Sequence, residues 1–468
     1  MAMETQVAVL GGGPGGYAAA FAAADLGLQV ALVDDAPNPG GVCLYRGCIP
    51  SKTLLHVARL LREAEDANEF GVAFARPEID LERLRAHKQA VVDKLTGGLG
   101  QLARQRKISY IQGRGRFSGP NALTVRRQGG GEEELSFQQA IIATGSLPRT
   151  LDVLQGFGDL VWDSTAALEL REVPKRLLVV GGGYIGVELA SVYLGLGSEV
   201  TLVEVTKGLL PGADPDLVRP LGQRLRGQAT LLFETSVVSL AREGQGLRAT
   251  LRGKDGKEQE IVVDRLLASV GRAPQTSGIG LEALHLAPDE HGFLPVDAQR
   301  RTKVPHIYAI GDIAGQPMLA HKASHEGRVA AEAIAGQRSA FDPAAIPAVV
   351  FTDPEIAWAG LSEQEAVQRG IEVQVGRFPW GASGRAASMG RADGLTKIVA
   401  ERSSGRVIGV GIAGPGAGEL IAEGTLAIEM GALAEDVAHT IHPHPTLSET
   451  VMEAAEGILG HATHYYGR

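Results

Sequence analysis

Along this chain the apolar positions follow a rhythm that returns. An aliphatic run at 6–10, a glycine cluster, an alanine-rich stretch to about Gly27 and a second aliphatic run at 29–33 closed by Asp34 predict strand, turn, helix and strand. The order recurs at 177–180, Gly181 to Gly186, a helix over 187–196 and a strand over 199–203 closed by Glu204. Between them, Leu54, Leu55, Val57, Leu60 and Leu61 form an apolar stripe opposite Arg59, Arg62 and Glu63, so the segment 51–106 reads as helical. Residues 108–141 alternate as short strands with glycine turns and end in Ile141-Ile142-Ala143-Thr144-Gly145-Ser146, a buried strand and a turn returning to the first sheet. Residues 308–312 repeat the strand-then-acid pattern. Beyond Pro343 the pattern shifts to strands at 349–351, 397–400 and 407–411 and helices at 417–430 and 448–459. The fold class expected is α/β, with two dinucleotide-binding units and a C-terminal α+β block. The expected divisions are 1–147, 148–270, 271–341 (returning to the first unit) and 342–468.

The glycine clusters give each unit a chemistry. Gly11 suits a tight turn, Gly13 a close approach of backbone to pyrophosphate, and Gly16 the packing of helix on strand. Asp34 ends the next strand 23 residues after Gly11, placed for ribose hydroxyls. Gly181, Gly183 and Gly186 repeat that spacing, and Glu204 again follows by 23 residues. A carboxylate there accepts the ribose 2′-hydroxyl of NAD and repels the 2′-phosphate of NADP, and Val205-Thr206-Lys207-Gly208 offers no arginine to reverse the preference.

Composition narrows the rest. Of 468 residues 44% are hydrophobic, enough for several cores. The net charge of −9 disfavours nucleic acid and anionic membranes and suits a basic partner. The start lacks a signal-peptide pattern and no apolar run reaches a membrane span, so the expected location is cytoplasmic. The only two cysteines, Cys43 and Cys48, lie five apart in Gly40-Gly41-Val42-Cys43-Leu44-Tyr45-Arg46-Gly47-Cys48-Ile49-Pro50-Ser51-Lys52. Five helical positions span ~7.5 Å along the axis, whereas a disulfide needs Cα atoms roughly 4.4–6.8 Å apart. A bond between them therefore requires a distorted helix, and Gly47 supplies the freedom. Spacing alone is compatible with a redox pair and leaves two buried, inert thiols open as the alternative. Lys52, one turn beyond Cys48, favours a thiolate. His442 and His444 are two apart with no further ligands spaced to complete a metal site, so no metal is expected.

With the cysteine loop, both fingerprints, Thr144-Gly145-Ser146, Ala309-Ile310-Gly311-Asp312, Met318-Leu319-Ala320-His321-Lys322-Ala323 and His444-Pro445-Thr446-Leu447-Ser448-Glu449 all in order, the chain resembles the flavin-dependent pyridine nucleotide-disulfide oxidoreductases from about residue 5 to about 460. The resemblance implies two Rossmann-like units, FAD in the first and NAD in the second, and a C-terminal domain forming a homodimer. It implies oxidation of protein-bound dihydrolipoamide through a redox-active disulfide, with partners in the lipoyl domain and the peripheral binding domain of a 2-oxo acid dehydrogenase acyltransferase core. Cys48 would be the thiolate facing the flavin and Cys43 the interchange thiol. Lys52 paired with Glu188 would lie near the flavin ring, and His444 held by Glu449 would be the acid–base group, presented from the partner subunit. Gly115, Thr144, Gly145, Ser146, Asp312, Met318, Leu319, Ala320 and His321 would line the FAD site. Tyr184, Val237 and Gly271 would join Glu204 at NAD. The His444–Pro445 bond would often be cis.

The chain departs from the family's usual Leu-Asn-Val-Gly between the cysteines, with Tyr45 and Arg46 inside the loop. Arg46 either points at the sulfurs and lowers a thiolate pKa, or faces solvent or a carboxylate such as Asp35. A glutathione-type reductase would need a basic site where Glu204 stands. Mercuric and large thioredoxin reductases would need a second redox pair, which His464-Tyr465-Tyr466-Gly467-Arg468 does not carry. A flavoprotein subunit without turnover is the remaining alternative.

Overall fold

The structure is a computed structural model describing residues 3–75 and 77–466. Met1, Ala2, Arg76, Gly467 and Arg468, which fall within stretches considered above, lie outside the described residues. In the first sheet Ser109–Gly119 pairs in parallel with the first of four further parallel strands, in the order Val30–Asp34, Met3–Leu10, Glu132–Ile142 and Ile307–Ala309. Their apolar runs are buried on both faces, which is why they read as continuous rather than alternating. Two of the three strands in 108–142 are longer than the sequence pattern suggested. Ser109–Gly119 and Glu132–Ile142 have 11 residues each and extend beyond the parallel sheet to pair antiparallel with Ala122–Arg127.

Helices Pro14–Asp25 and Ala320–Ile334 cover this sheet and lie against each other. Small residues permit the approach: a Cβ on Gly327 would stand 2.6 Å from the Gly15 carbonyl oxygen. The second sheet is parallel, in the order Ala229–Leu232, Glu199–Val203, Arg176–Val180, Arg265–Ala268 and Val161–Trp162, with an antiparallel ribbon beside it. Ser146–Pro148 and Arg272–Pro274 form a two-stranded antiparallel link between the halves. The third sheet is antiparallel, Ala348–Val350, Ile356–Gly360, Val407–Ala413, Leu395–Glu401 and Val373–Pro379, backed by helices Ala417–Glu429 and Glu449–Leu459.

The helical stretch 51–106 is not continuous. Cys48–Asp66 ends in a short 3-10 turn and Gly71 at φ +80°, and a new helix, Leu81–Gln105, starts after Asp80, whose carboxylate accepts the Arg83 N–H at 3.0 Å. A left-handed glycine and Pro77 break the chain where the apolar stripe itself lapses.

Candidate active site

Two helices carry the cysteines. Gly41–Arg46 bears Cys43, Cys48–Asp66 begins at the other, and between them Gly47 sits at φ −141°, ψ −113°, so the helix breaks where the sulfur spacing demanded. A Cβ on Gly47 would stand 2.9 Å from the Val42 carbonyl oxygen. The loop rests directly on the first glycine turn. The Gly40 N–H donates to the Gly12 carbonyl at 2.7 Å, and a Cβ on Gly41, at φ +57°, would come within 2.4 Å of the Gly13 Cα. The cysteines and the dinucleotide turn are thus one packed unit.

The two sulfurs are unequal. A hydrogen bond to Cys48, reinforced by burial, pushes the Cys43 thiol far up. The same hydrogen bond from Cys43, with Lys52 nearby and against the opposing effects of burial and Glu188, brings Cys48 down to about 7. Lys52 Nζ lies 2.8 Å from Glu188 Oε2 and 4.6 Å from the centre of the Phe351 ring. Glu188 is only 4% exposed, and its Oε1 accepts the Phe351 N–H at 2.9 Å, which ties the second unit to the C-terminal one at the sulfurs. Arg46 contradicts the first of its two expectations. It is exposed, forms no hydrogen bond or ion pair among the described residues, and acts on Asp34 rather than on either thiol. Asp35 pairs with Arg114 at 3.3 Å instead, and the Tyr45 hydroxyl turns away to the Asn38 backbone.

Both fingerprints take the same shape. Gly11 and Gly181 have φ +106° and +108°, and a Cβ on either would meet a carbonyl oxygen, of Ala143 at 2.3 Å or Ser269 at 2.4 Å. Gly16 and Gly186 pack as closely on Gly11 and Gly181, while a Cβ on Gly13 would make only ordinary contact with Gly41 at 3.9 Å and Gly183 faces open space, and both cap their helices without any side chain. Each helix N-terminus therefore presents free N–H groups to an anion, and the residues fit a pyrophosphate in both units. Asp34 accepts the N–H of Gly12 at 2.6 Å and of Ala36 at 2.9 Å, and burial raises its pKa despite these bonds. Glu204 is buried and matches it, accepting from Gly182 at 2.6 Å and Thr206 at 2.7 Å.

Other expected residues fall around these turns. Gly115 packs against Leu10 and Val33, and Thr144 Oγ1 donates to the Gln275 carbonyl at 2.8 Å. Ser146 joins Asp312 to Arg272 through its hydroxyl, and Gly145, at φ +72°, accepts the Gln275 N–H through its carbonyl. Met318 and Leu319 lead into the helix that Ala320 and His321 open, with His321 Nε2 2.7 Å from the Pro347 carbonyl. Val237 is buried in the ribbon beside the second sheet, and Gly271, at φ +104°, accepts the Arg149 N–H. Tyr184 opens the second helix, 41% exposed, with its hydroxyl pushed up to about 12 by burial and within electrostatic reach of Arg272, Asp312, Cys48 and Glu188.

Three residues of this region were not singled out from sequence. Tyr17 feels both sulfurs, Arg272 bonds Ser146, and Glu326, fully buried, accepts the Gly311 N–H at 2.6 Å while pairing with Arg300 and Lys322. The i,i+4 spacing of Lys322 and Glu326 was the one legible sign of that last cluster.

His444 and Glu449 stand apart. His444 Nδ1 is 2.8 Å from Glu449 Oε1, the His444–Pro445 bond is cis, and the imidazole is 73% exposed. No hydrogen bond or ion pair among the described residues joins this pair to the cysteine loop of its own chain. Burial opposes ionisation of Glu449, but the Thr446 N–H, His444 and His464 outweigh it and hold the carboxyl below its usual range. Buried Trp380, Thr396 and Thr450 are linked by hydrogen bonds of 2.9 and 2.7 Å that fix the start of the helix carrying Glu449. His442 bonds Glu423 at 2.7 Å, and among the described residues no group of three or more His, Cys, Asp or Glu side chains is arranged to hold a metal ion. Nor is any described helix long and apolar enough to cross a membrane.

Residues 5–327 match the family model of pyridine nucleotide-disulphide oxidoreductases, and residues 346–455 match that family's dimerisation domain. The chain belongs to the pyridine nucleotide-disulphide oxidoreductases. This oxidoreductase is 47% identical over 461 residues to a dihydrolipoyl dehydrogenase of Vibrio cholerae, covering 98% of this chain and 97% of that one. It is 47% identical to a dihydrolipoyl dehydrogenase of Thermus scotoductus, covering 98% of each. Among solved structures it is similar to LpdA from Mycobacterium tuberculosis, at TM-score 0.88 and 29% identity over 97% of this chain and 99% of that one. The family binds FAD and a nicotinamide dinucleotide, and the dimerisation domain makes it a homodimer.

Proposed function

We propose that this oxidoreductase oxidises dihydrolipoamide to lipoamide and passes the electrons to NAD⁺, the activity its relatives are named for. The observation that carries the reading is the cysteine loop, with Cys43 and Cys48 on two helices packed against the first glycine turn and the Lys52–Glu188 pair one turn beyond Cys48, where the ammonium favours its thiolate. In the oxidised enzyme a substrate thiolate attacks the Cys43 sulfur, a mixed disulfide forms, and Cys48 departs as the anion. A leaving thiol of low pKa leaves faster. The second substrate sulfur then attacks its neighbour in the mixed disulfide, releasing lipoamide and returning Cys43 to the thiol. His444 takes the proton of the incoming dithiol and returns one to Cys43, and Glu449, accepting from Nδ1, leaves Nε2 free for the exchange and stabilises the imidazolium. FAD, when bound, supplies the relay that carries the electron pair from Cys48 to the nicotinamide.

The FAD site comprises Gly11, Gly13, Gly16 and Asp34 for the dinucleotide end. Lys52, Gly115, Thr144, Gly145, Ser146, Asp312 and Met318 through His321 complete it. NAD⁺ lies on Gly181, Gly183, Gly186 and Glu204, with Tyr184, Val237 and Gly271 beside it. Glu204, buried and already oriented by two N–H groups, repels a 2′-phosphate, so activity with NAD⁺ exceeds that with NADP⁺ by about an order of magnitude or more. The homodimer presents the partner's His444 to each sulfur pair. The net charge of −9 on each chain suits a basic docking domain on an acyltransferase core, with the lipoyl domain as the carrier of substrate.

The test is NAD⁺ reduction with free dihydrolipoamide by the purified protein, repeated with His444→Gln. Turnover in the parent and a fall on the order of a hundredfold in the variant, with flavin content unchanged, is the expected result. No turnover in the parent with FAD bound would refute the reading.

A further inference from the structure

The helix that starts at Glu449 carries three carboxylates on one face, Glu449, Glu453 and Glu456, spaced i, i+4 and i+7. Only Glu449 enters the reaction proposed above. The chain turns back at Gly460, with φ +85°, and runs along that face. There the Thr463 N–H donates to Glu456 Oε2 at 3.2 Å and the His464 N–H to Glu453 Oε2 at 3.2 Å, and His464 Nδ1 bonds Glu453 Oε1. Tyr465 stacks edge-on against Phe378 and fixes the returning segment. The fold thereby sets two imidazoles, His444 and His464, on neighbouring carboxylates one helical turn apart.

We propose that His464, held by Glu453, is a positioning residue of the acid–base unit: its positive charge beside Glu449 lowers the proton affinity of His444 and keeps that base neutral, and so competent, at lower pH. The proposal rests on His444 being the base. Glu453 is 2% exposed, and a carboxylate so buried is stable only when paired. Its hydrogen bond, with the fields of Glu449 and Glu456, raises the His464 pKa although burial opposes the charge. The influence is mutual, since His464 is among the groups that lower Glu449.

The other charged groups on elements packed against this helix are engaged elsewhere or face water. Arg377 and Lys397 are bound to Asp216 and Glu363, with Asp214 also on Lys397. Asp436 accepts the Leu433 N–H, Glu401 accepts from Ser404, His442 is on Glu423, and Glu435 and His439 are exposed, as is His461 on the returning tail. Among the described residues, His464 is the cation left to offset Glu453.

The experiment compares pH profiles of kcat/KM for dihydrolipoamide in the holoenzyme, His464→Gln and His464→Lys. Removing the charge takes a repelling neighbour away from the Glu449–His444 pair, so the His444 imidazolium is stabilised. The acidic limb of His464→Gln should move up by about 0.5–1 pH unit, with the plateau nearly unchanged. Lysine keeps the charge and should restore the parent limb. A chain ending at Thr463 removes the same charge by another route and should shift the limb in the same direction. An unmoved limb in both His464→Gln and the shortened chain overturns the proposal, as does an equal shift in His464→Lys, which would mark a packing effect. His444→Gln in the same series separates this failure from failure of the parent reading: if it too leaves the rate intact, His444 is not the base.

Discussion

At the scale of single residues the cation that acts on the sulfur pair is Lys52 and not the nearer arginine. Lys52 lies one turn beyond Cys48, its ammonium pairs with Glu188, and the two act on Cys48 with opposite signs. Replacing Lys52 with methionine removes the lowering charge and leaves the buried Glu188 carboxylate unopposed, so both changes push the thiolate pKa the same way. In the reduced protein the pH midpoint of alkylation by iodoacetamide should rise from about 7 by roughly 1–2 units, whereas Arg46→Val should leave it in place. Because Cys43 and Cys48 are the only cysteines, the readout has no other source. The role of Lys52 was legible from its spacing. That of Arg46 was not, because sequence gives distance along the chain and not the direction of a side chain on a short helix bounded by Gly40 and Gly47.

Among the elements, the loop from Gly40 to Lys52 depends on backbone contact with the first glycine turn. Gly41 has a left-handed φ and its Cα faces Gly13 with no room for a methyl group. Gly41→Ala must therefore strain the backbone and push the cysteine helix off the turn, at about 1–3 kcal/mol. The melting temperature should fall and the flavin should be more easily washed out. A variant with unchanged melting and retention would show that the two turns are not coupled. The fingerprints were readable because glycine spacing records contacts that allow no side chain, and the break at Gly47 because disulfide geometry requires it. Strands Ile356–Gly360 and Val373–Pro379 were not read. The first ends in a glycine and the second in a proline, and neither alternates cleanly. The lapse between the two helices of 48–105 was likewise hidden, since an apolar stripe on each side masks a loop between.

Across the whole molecule, what escaped the sequence was charge meeting charge over long separations. Lys397, almost wholly buried, joins Asp214 and Asp216 of the second unit to Glu363, and the Lys52–Glu188 pair, which the resemblance implied, is tied onward to the Phe351 backbone. Such networks lock the C-terminal domain against the units that carry the sulfurs, yet they leave no periodic trace. The order of motifs did reveal the family, and among the described residues His444 and Glu449 make no hydrogen bond or ion pair to their own cysteine loop. The C-terminal domain also exposes Leu426, Met430 at 76% and Ile441 at 95%, an apolar cost that burial against a second copy would remove. If each sulfur pair works with the partner's His444, two dead variants must complement each other. A Cys43→Ser chain retains a working His444, and a His444→Gln chain retains working sulfurs, so their heterodimer contains one intact site and one doubly defective site. Random reassociation makes half the dimers mixed, so activity should return to about a quarter of the parent level while each variant alone stays inactive. If the base instead served its own chain, every dimer would carry only single-defect sites and mixing would restore nothing.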